Sequence, residues 1–224
     1  MKKHLHFNDE NTNQIRELRT AVESGDIVAL RELGYAYLYG IGVAENLEEA
    51  ASWFAKAAES GDAEAQVVLG DLYSLGRGVP CDERKAFLLY RDAAVQGNSL
   101  GALYLAYCFR DGEGTEKDAA FAAEWFSKAA EMGNSEAQRE IANCYFFGHG
   151  VEQDYAKAAL WYAKAANRND FEAQCKLAAC YAAGLGIDQS CERAMELLQS
   201  ALGGTNEGVQ HLLRDILSST TPKE

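Results

Sequence analysis

Five Gly-x-Gly turns, each 36 residues after the last, constrain this chain more than any other feature of it. They begin at Gly40, Gly76, Gly112, Gly148 and Gly184 and read Gly-Ile-Gly-Val, Gly-Arg-Gly-Val, Gly-Glu-Gly-Thr, Gly-His-Gly-Val and Gly-Leu-Gly-Ile. No insertion or deletion separates the copies. A fixed period in this range marks a stacked-repeat architecture, in which each unit buries its apolar face against its neighbours.

Aligned on the period, the other columns specify two helices per unit, A and B. An N-cap column precedes helix A: Asp26, Asp62, Asn98, Asn134, Asp170 and Asn206. Asp and Asn side chains accept hydrogen bonds from the unpaired amides of a first turn. Before it runs Gly25, Gly61, Gly97, Gly133, Asn169 and Thr205, mostly residue types suited to a left-handed helix end. Helix A carries a core column, Leu33, Leu69, Leu105, Ile141 and Leu177, with an aromatic column four residues on from Tyr37 to Tyr181. A small column, Gly34, Gly70, Ala106, Ala142 and Ala178, predicts close approach by another helix. Val43, Val79, Val151 and Ile187 close the turn. Helix B starts at a second capping column, Asn46, Asp82, Asp118, Asp154 and Ser190. It carries Ala50, Ala86, Ala122, Ala158 and Ala194, then Trp or Leu from Trp53 to Leu197, then Phe, Tyr or Leu from Phe54 to Leu198. Large and small residues alternate, as interdigitating layers require.

The ends fit an array. Residues 1–12 are expected to be flexible, and residues 13–24 to form a lone B-type helix with polar Gln14 and Glu17 on its open face. Five full units cover 25–204. Residues 205–218 are expected to cap the array as a lone A-type helix, with Arg214 in the small column, and 219–224 to be a disordered tail. Polar terminal units keep such arrays soluble.

The strings Leu69-Gly70-Asp71-Leu72-Tyr73, Gly76-Arg77-Gly78-Val79, Asp82, Ala86, Ala93-Ala94 and Gly97 resemble the Sel-1-like repeat, a relative of the tetratricopeptide repeat. The fourth unit matches best, through Tyr145, Gly148-His149-Gly150-Val151, Asp154, Lys157-Ala158, Trp161-Tyr162 and Lys164-Ala165-Ala166. The resemblance spans about Gly25 to Leu217. It implies an all-α fold, a right-handed α/α superhelical solenoid of 36-residue helix-turn-helix repeats, used as an interaction scaffold, adaptor or inhibitor. Some cysteine-rich secreted members carry β-lactamase-like or penicillin-binding claims. This chain departs from that subgroup, because no pair of Cys recurs within each repeat.

The formal charge of −13 is spread along the chain. It argues against a duplex nucleic-acid partner, which would want a basic stripe, so no nucleic-acid partner is expected, and it is compatible with a basic protein. No run approaches 18 apolar residues, and the basic N-terminus lacks an apolar segment behind it, so no membrane association and a cytoplasmic location are expected. Cys108, Cys144 and Cys180 share one column with Ala36 and Leu72. Packed helices lie about 8–10 Å apart, beyond the roughly 7 Å reach of a disulfide. These thiols are therefore expected to be buried, free and apolar in role, as in a reducing compartment.

No catalytic constellation accompanies the repeats. Ser-x-x-Lys, His-Glu-x-x-His and Cys-x-x-Cys are all absent from the sequence. His149 occupies a variable turn position. The Gly-x-Gly turns lack the Lys and Ser/Thr spacing of a phosphate-binding loop. No cofactor and no metal are expected. A β-lactam-acting hydrolase is the rival reading by family analogy, and the missing nucleophile–base pair argues against it.

What remains is recognition by the A-helix wall, which is concave in tetratricopeptide-like stacks. Its columns not committed to the core supply the candidates Arg31, Tyr35, Tyr39, Leu103, Tyr107, Arg110, Arg139, Asn143, Phe146 and Phe147. Tyr and Arg are the side chains most enriched among binding hot spots. The sequence therefore reads as a monomeric, non-enzymatic module that binds a protein or peptide in its groove. An inhibitor or immunity-type protein neutralising a basic toxin or enzyme is the alternative within that class.

Overall fold

A computed structural model describes residues 9–202, with side chains from 13 to 201. Among these residues there are eleven helices and no strand. The chain divides between Lys117 and Asp118 into two compact units. The first holds α1 (Asp9–Glu23), α2 (Ile27–Tyr39), α3 (Leu47–Glu59), α4 (Ala63–Leu75), α5 (Glu83–Val95) and α6 (Ser99–Asp111). The second holds α7 (Ala119–Glu131), α8 (Ser135–Phe147), α9 (Tyr155–Ala166), α10 (Phe171–Ala183) and α11 (Cys191–Leu202). Even-numbered helices are the A type and odd-numbered the B type. Helix α1 begins at Asp9, ahead of the Asn13 at which the half unit was expected to open. The capping helix expected over 205–218 and the tail after it lie outside the described residues.

The predicted caps form as the chemistry demands. Asp26, Asp62, Asn98, Asn134 and Asp170 sit in extended backbone, and each accepts from an amide of the following turn. Asn46, Asp82, Asp118 and Asp154 do the same for the B helices, and the Arg193 amide donates to Ser190 Oγ at 3.3 Å. Gly40, Gly76, Gly112, Gly148 and Gly184 end the A helices in the left-handed region. Asn169 alone takes that conformation without being glycine among the described residues, at φ 63°.

The second glycine of the later turns, Gly78, Gly114, Gly150 and Gly186, has a role the period alone does not reveal. Gly78 has φ +71°, and a Cβ there would collide with the carbonyl of Leu47, the first residue of α3. Gly150 (φ +73°) meets the carbonyl of Ala119 at the start of α7 in the same way. This glycine seats the turn of one repeat on the B helix of the repeat before it, and no side chain fits between.

The core follows the predicted columns. Leu33, Leu69, Leu105, Ile141 and Leu177 are buried, as are Ala50, Ala86, Ala122, Ala158 and Ala194. Cys108, Cys144 and Cys180 are buried thiols outside any disulfide. Burial, aided by nearby carboxylates, raises the Cys108 thiol to about 12, and burial raises Cys180 to about 11. The small column faces the aromatic of the same repeat's B helix: a Cβ on Gly34 would stand 2.8 Å from the Phe54 ring, and one on Gly70 2.5 Å from that of Tyr90. Gln14 and Glu17 of α1 are exposed, as the polar end face requires.

Three buried glutamines escaped the sequence reading. The Nε2 atoms of Gln66, Gln138 and Gln174 donate to the carbonyls of Ala58, Ala130 and Ala166 at 3.3, 3.1 and 3.3 Å. Each ties the start of an A helix to the end of the preceding B helix, as a second donor to a helix-end carbonyl that also accepts from the Gly61, Gly133 or Asn169 amide at 3.0 Å.

Candidate protein-binding surface

The candidates from the A helices separate into residues occupied by the fold and residues facing solvent. Leu103 is fully buried, at 0% exposure, and is removed from the list. Its column points between successive A helices, not outward, and Val67 on the same column is buried too.

Arg31 and Arg139 occupy that inward column as well, and their charge is satisfied internally. Arg31 Nη1 bonds Asp62 Oδ2 at 2.7 Å and lies 3.2 Å from Glu64. Arg139 reaches Asp170 at 3.3 Å, Glu172 at 2.7 Å and Glu140 at 3.0 Å. In both cases the guanidinium holds the N-cap aspartate of the next A helix together with the glutamate two residues on. These arginines are clamps between repeats, which corrects their expected role as partner anchors. The signal was present in the sequence: Asp62 and Asp170 follow Arg31 and Arg139 by 31 residues. The caps following apolar Val67 and Leu103 at the same spacing are the neutral Asn98 and Asn134.

The next column is partly internal. Asn143 Oδ1 accepts from the Tyr162 hydroxyl at 2.6 Å, and Asp71 Oδ1 accepts from the Tyr90 hydroxyl at 2.7 Å. Asn143 is thus a support for the B-helix aromatic and not a free anchor. Tyr35 faces Phe54, which has no hydroxyl, and the rings meet edge to face at 5.1 Å. The Tyr35 hydroxyl donates instead to Glu64 at 2.9 Å. Burial first, then that bond, pushes its pKa up. Phe146 packs against Tyr155 and Tyr162 at 5.1 and 6.3 Å and belongs to the interior of its repeat.

Solvent-facing candidates concentrate at the last turn of the A helices. In the first unit Tyr39 is 65% exposed and stacked on Tyr35 at 6.1 Å. Leu75, at the same position of the next A helix, is 67% exposed. Tyr107 is half-buried, with the exposed Arg110 guanidinium 4.4 Å from its ring and paired with Asp111 at 2.7 Å. In the second unit Phe147 is 50% exposed, beside His149 at 5.6 Å. His149 is exposed. Among the described residues, no group of His, Cys, Asp and Glu could hold a metal ion. No described helix is long and apolar enough to cross a membrane.

Paired antiparallel helices repeated without insertion define an all-α helical-repeat protein. The Sel1 repeat model matches residues 27–62, 63–98, 99–134, 135–170 and 171–202, and the chain belongs to the Sel1 repeat family, whose members typically act through protein–protein interaction. It is similar to c5321, a protective antigen present in uropathogenic Escherichia coli strains displaying an SLR fold. That similarity is 33% identity and TM-score 0.86 over 95% of this chain and 46% of that one. A Sel1 repeat protein from Oxalobacter formigenes shares 32% identity over 96% and 95% of the two chains, with TM-score 0.83. A putative Sel1 repeat protein from Klebsiella pneumoniae, at 20% identity and TM-score 0.53 over 91% and 99%, shares the fold. Among curated proteins none matches the chain.

Proposed function

We propose that this protein is a non-enzymatic interaction module whose A-helix face binds a protein or peptide. The observation that carries the reading is the last position of the A helices, which is a large apolar residue in three of the five. Tyr39, Leu75 and Phe147 are each at least half exposed there, at 65, 67 and 50%. The fold does not need them: the same column holds Asp111 and Ala183, and the helices still end on glycine. Large exposed apolar side chains recurring at one position of the repeat mark a surface meant to be covered, and aromatic anchors dominate binding energy.

The charge of −13 favours a basic partner through faster encounter. An inhibitor or immunity-type protein that neutralises a basic toxin or enzyme is the form of the module that this charge favours. The missing Ser-x-x-Lys leaves nitrocefin hydrolysis expected to be undetectable.

The test is affinity capture from native lysate, followed by quantitative binding of the captured protein to variants. Tyr39→Ala and Phe147→Ala are expected to weaken binding about tenfold or more each, the scale of a hot-spot truncation. Melting temperature should hold, because neither side chain lies in the core. Leu160→Ala, on the B helix α9 and 58% exposed, is the control expected to bind like wild type. Loss of binding in that control, with the A-helix variants unaffected, would place the partner on the B-helix face and end this reading.

A further inference from the structure

A cavity of about 260 Å³ lies within the first unit, between α4, α5 and α6. Its walls include the rings of Tyr90, Tyr104 and Tyr107, the exposed Leu75, and the carboxylates of Asp71 and Glu113. It falls just below the roughly 300–1,000 Å³ of small-molecule sites and suits one long side chain.

The carboxylate of Asp71 is what the repeat frame does not explain. Its visible task is to accept from the Tyr90 hydroxyl at 2.7 Å. In the fourth repeat the neutral Asn143 accepts the equivalent bond from Tyr162 at 2.6 Å. The negative charge is therefore not required for that bond. Asp71 is half-buried and makes no ion pair among the described residues, and neither does Glu113. Burial alone drives the Asp71 carboxyl above its ordinary pKa, with Tyr90 opposing the shift. A half-buried charge without a counterion is costly, and a cation entering the cavity would remove that cost. The walls suit one as well: a tyrosine face attracts a cation within about 6 Å, and the Arg110 guanidinium already lies 4.4 Å from the Tyr107 ring.

We propose that this cavity receives an arginine side chain of the protein partner, its guanidinium held by Asp71 and Glu113 among the tyrosine rings. A planar guanidinium can stack on an aromatic face while donating to two carboxylates, and it is more weakly hydrated than an ammonium. The assignment rests on the reading that the module binds protein, and it specifies which residue type that partner must present.

The test needs no partner. Nα-acetyl-arginine amide is titrated into the full chain and followed by nuclear magnetic resonance. Saturable binding is expected with a Kd on the order of 1–10 mM, as befits one side chain. The uncharged isostere Nα-acetyl-citrulline amide should not bind. Asp71→Asn should weaken arginine binding at least tenfold while keeping the hydrogen bond from Tyr90, as Asn143 does for Tyr162. The same charge change at exposed Asp188 should leave binding unchanged. Glu113→Gln, at an exposed residue outside the core, provides a second variant with an expected loss of severalfold. No saturation up to about fifty times the lower expected Kd, equal binding of the citrulline compound, or wild-type affinity in both cavity variants would overturn the proposal. Equal binding of the lysine analogue would overturn the choice of guanidinium. None of these outcomes touches the Tyr39 and Phe147 experiment, so the cavity can fail while the A-helix reading stands, and the reverse.

Discussion

The second and fourth repeats use the same skeleton for different ends. In both, a buried tyrosine of helix B, Tyr90 or Tyr162, passes its hydroxyl to a polar residue on helix A. In the fourth repeat that acceptor is neutral Asn143. The charged column beside it goes to Arg139, which grips Asp170 and Glu172 of the next A helix. In the second repeat buried Val67 replaces the arginine, the next cap is neutral Asn98, and the acceptor is a carboxylate with no ion pair among the described residues. The fourth repeat directs its charges inward, to the next repeat. The second leaves one facing a cavity. Function in such an array lies in these departures, because positions that every repeat fills alike are already needed for stacking.

The largest effect should test what the two repeats share. Gly78→Ala and Gly150→Ala each place a methyl against the backbone of the preceding B helix, at positive φ. Each should cost about 3 kcal/mol or more in urea unfolding, since strain and an unyielding clash add. Gly61→Ala is the sharpening control: it also has positive φ (+90°) but nothing within 4 Å of a new Cβ. It should cost only about 1–2 kcal/mol, the left-handed penalty alone. Equal losses at Gly61 and Gly78 would show that the seat on α3 carries no energy.

Next comes the clamp. Arg139→Ala removes a guanidinium that reaches Asp170 and Glu172 on the next A helix and Glu140 on its own, with the Asp170 side chain only 15% exposed. The carboxylates left behind should destabilise the chain by about 2–3 kcal/mol, less than a fully buried pair because water reaches one edge. The sequence alone placed Arg139 in a column not committed to the core, where truncation would cost little stability. Thermal unfolding without a shift would restore Arg139 to the candidate surface.

A smaller loss is expected at Gly70→Ala. The methyl would crowd the Tyr90 ring, which Asp71 holds in place. Overpacking costs about 1–3 kcal/mol, offset by the better helix propensity of Ala, worth about 0.5–1 kcal/mol. The fourth repeat carries Ala142 at this position and accommodates it, so a neutral outcome would show that the second repeat relaxes as readily.

The smallest effect, and the most direct for the comparison, is Asp71→Asn. The Asp71 carboxyl has a raised pKa in the folded chain, chiefly from burial. Stability from such a group is fully present below the unfolded pKa and is lost as pH rises through the folded value. At pH 7 the charged form therefore opposes folding, and the variant should be as stable as wild type or slightly more so. The difference should vanish as pH falls below 3.8, where the carboxyl becomes neutral in the unfolded chain also. A variant less stable at pH 7 would mean the Tyr90 bond needs its charge, and the likeness to Asn143 would break.

Much of this was legible from residues alone because it depends on local chemistry. The 36-residue period, the Asp and Asn caps, the glycines at helix ends and the Leu and Ala columns each follow from contacts within one helix or one turn. A column argument also placed Cys108, Cys144 and Cys180 in the core, where they lie. The direction of the columns between core and surface was not legible. Arg31, Leu103 and Arg139 share a column that could face solvent or the next A helix, and about one residue's rotation in a 3.6-residue turn separates the two. Only the packed repeats decide that it faces inward, burying Leu103 and closing both arginines on the next cap. The docking of Gly78 on Leu47 and the pairing of Tyr90 with Asp71 are likewise tertiary facts, since each joins residues on different helices. The sequence determined the repeat, because capping and periodicity act over a few residues. The tertiary structure decided which of its polar side chains are already paired, because a partner 19 or 31 residues away is set by how helices pack.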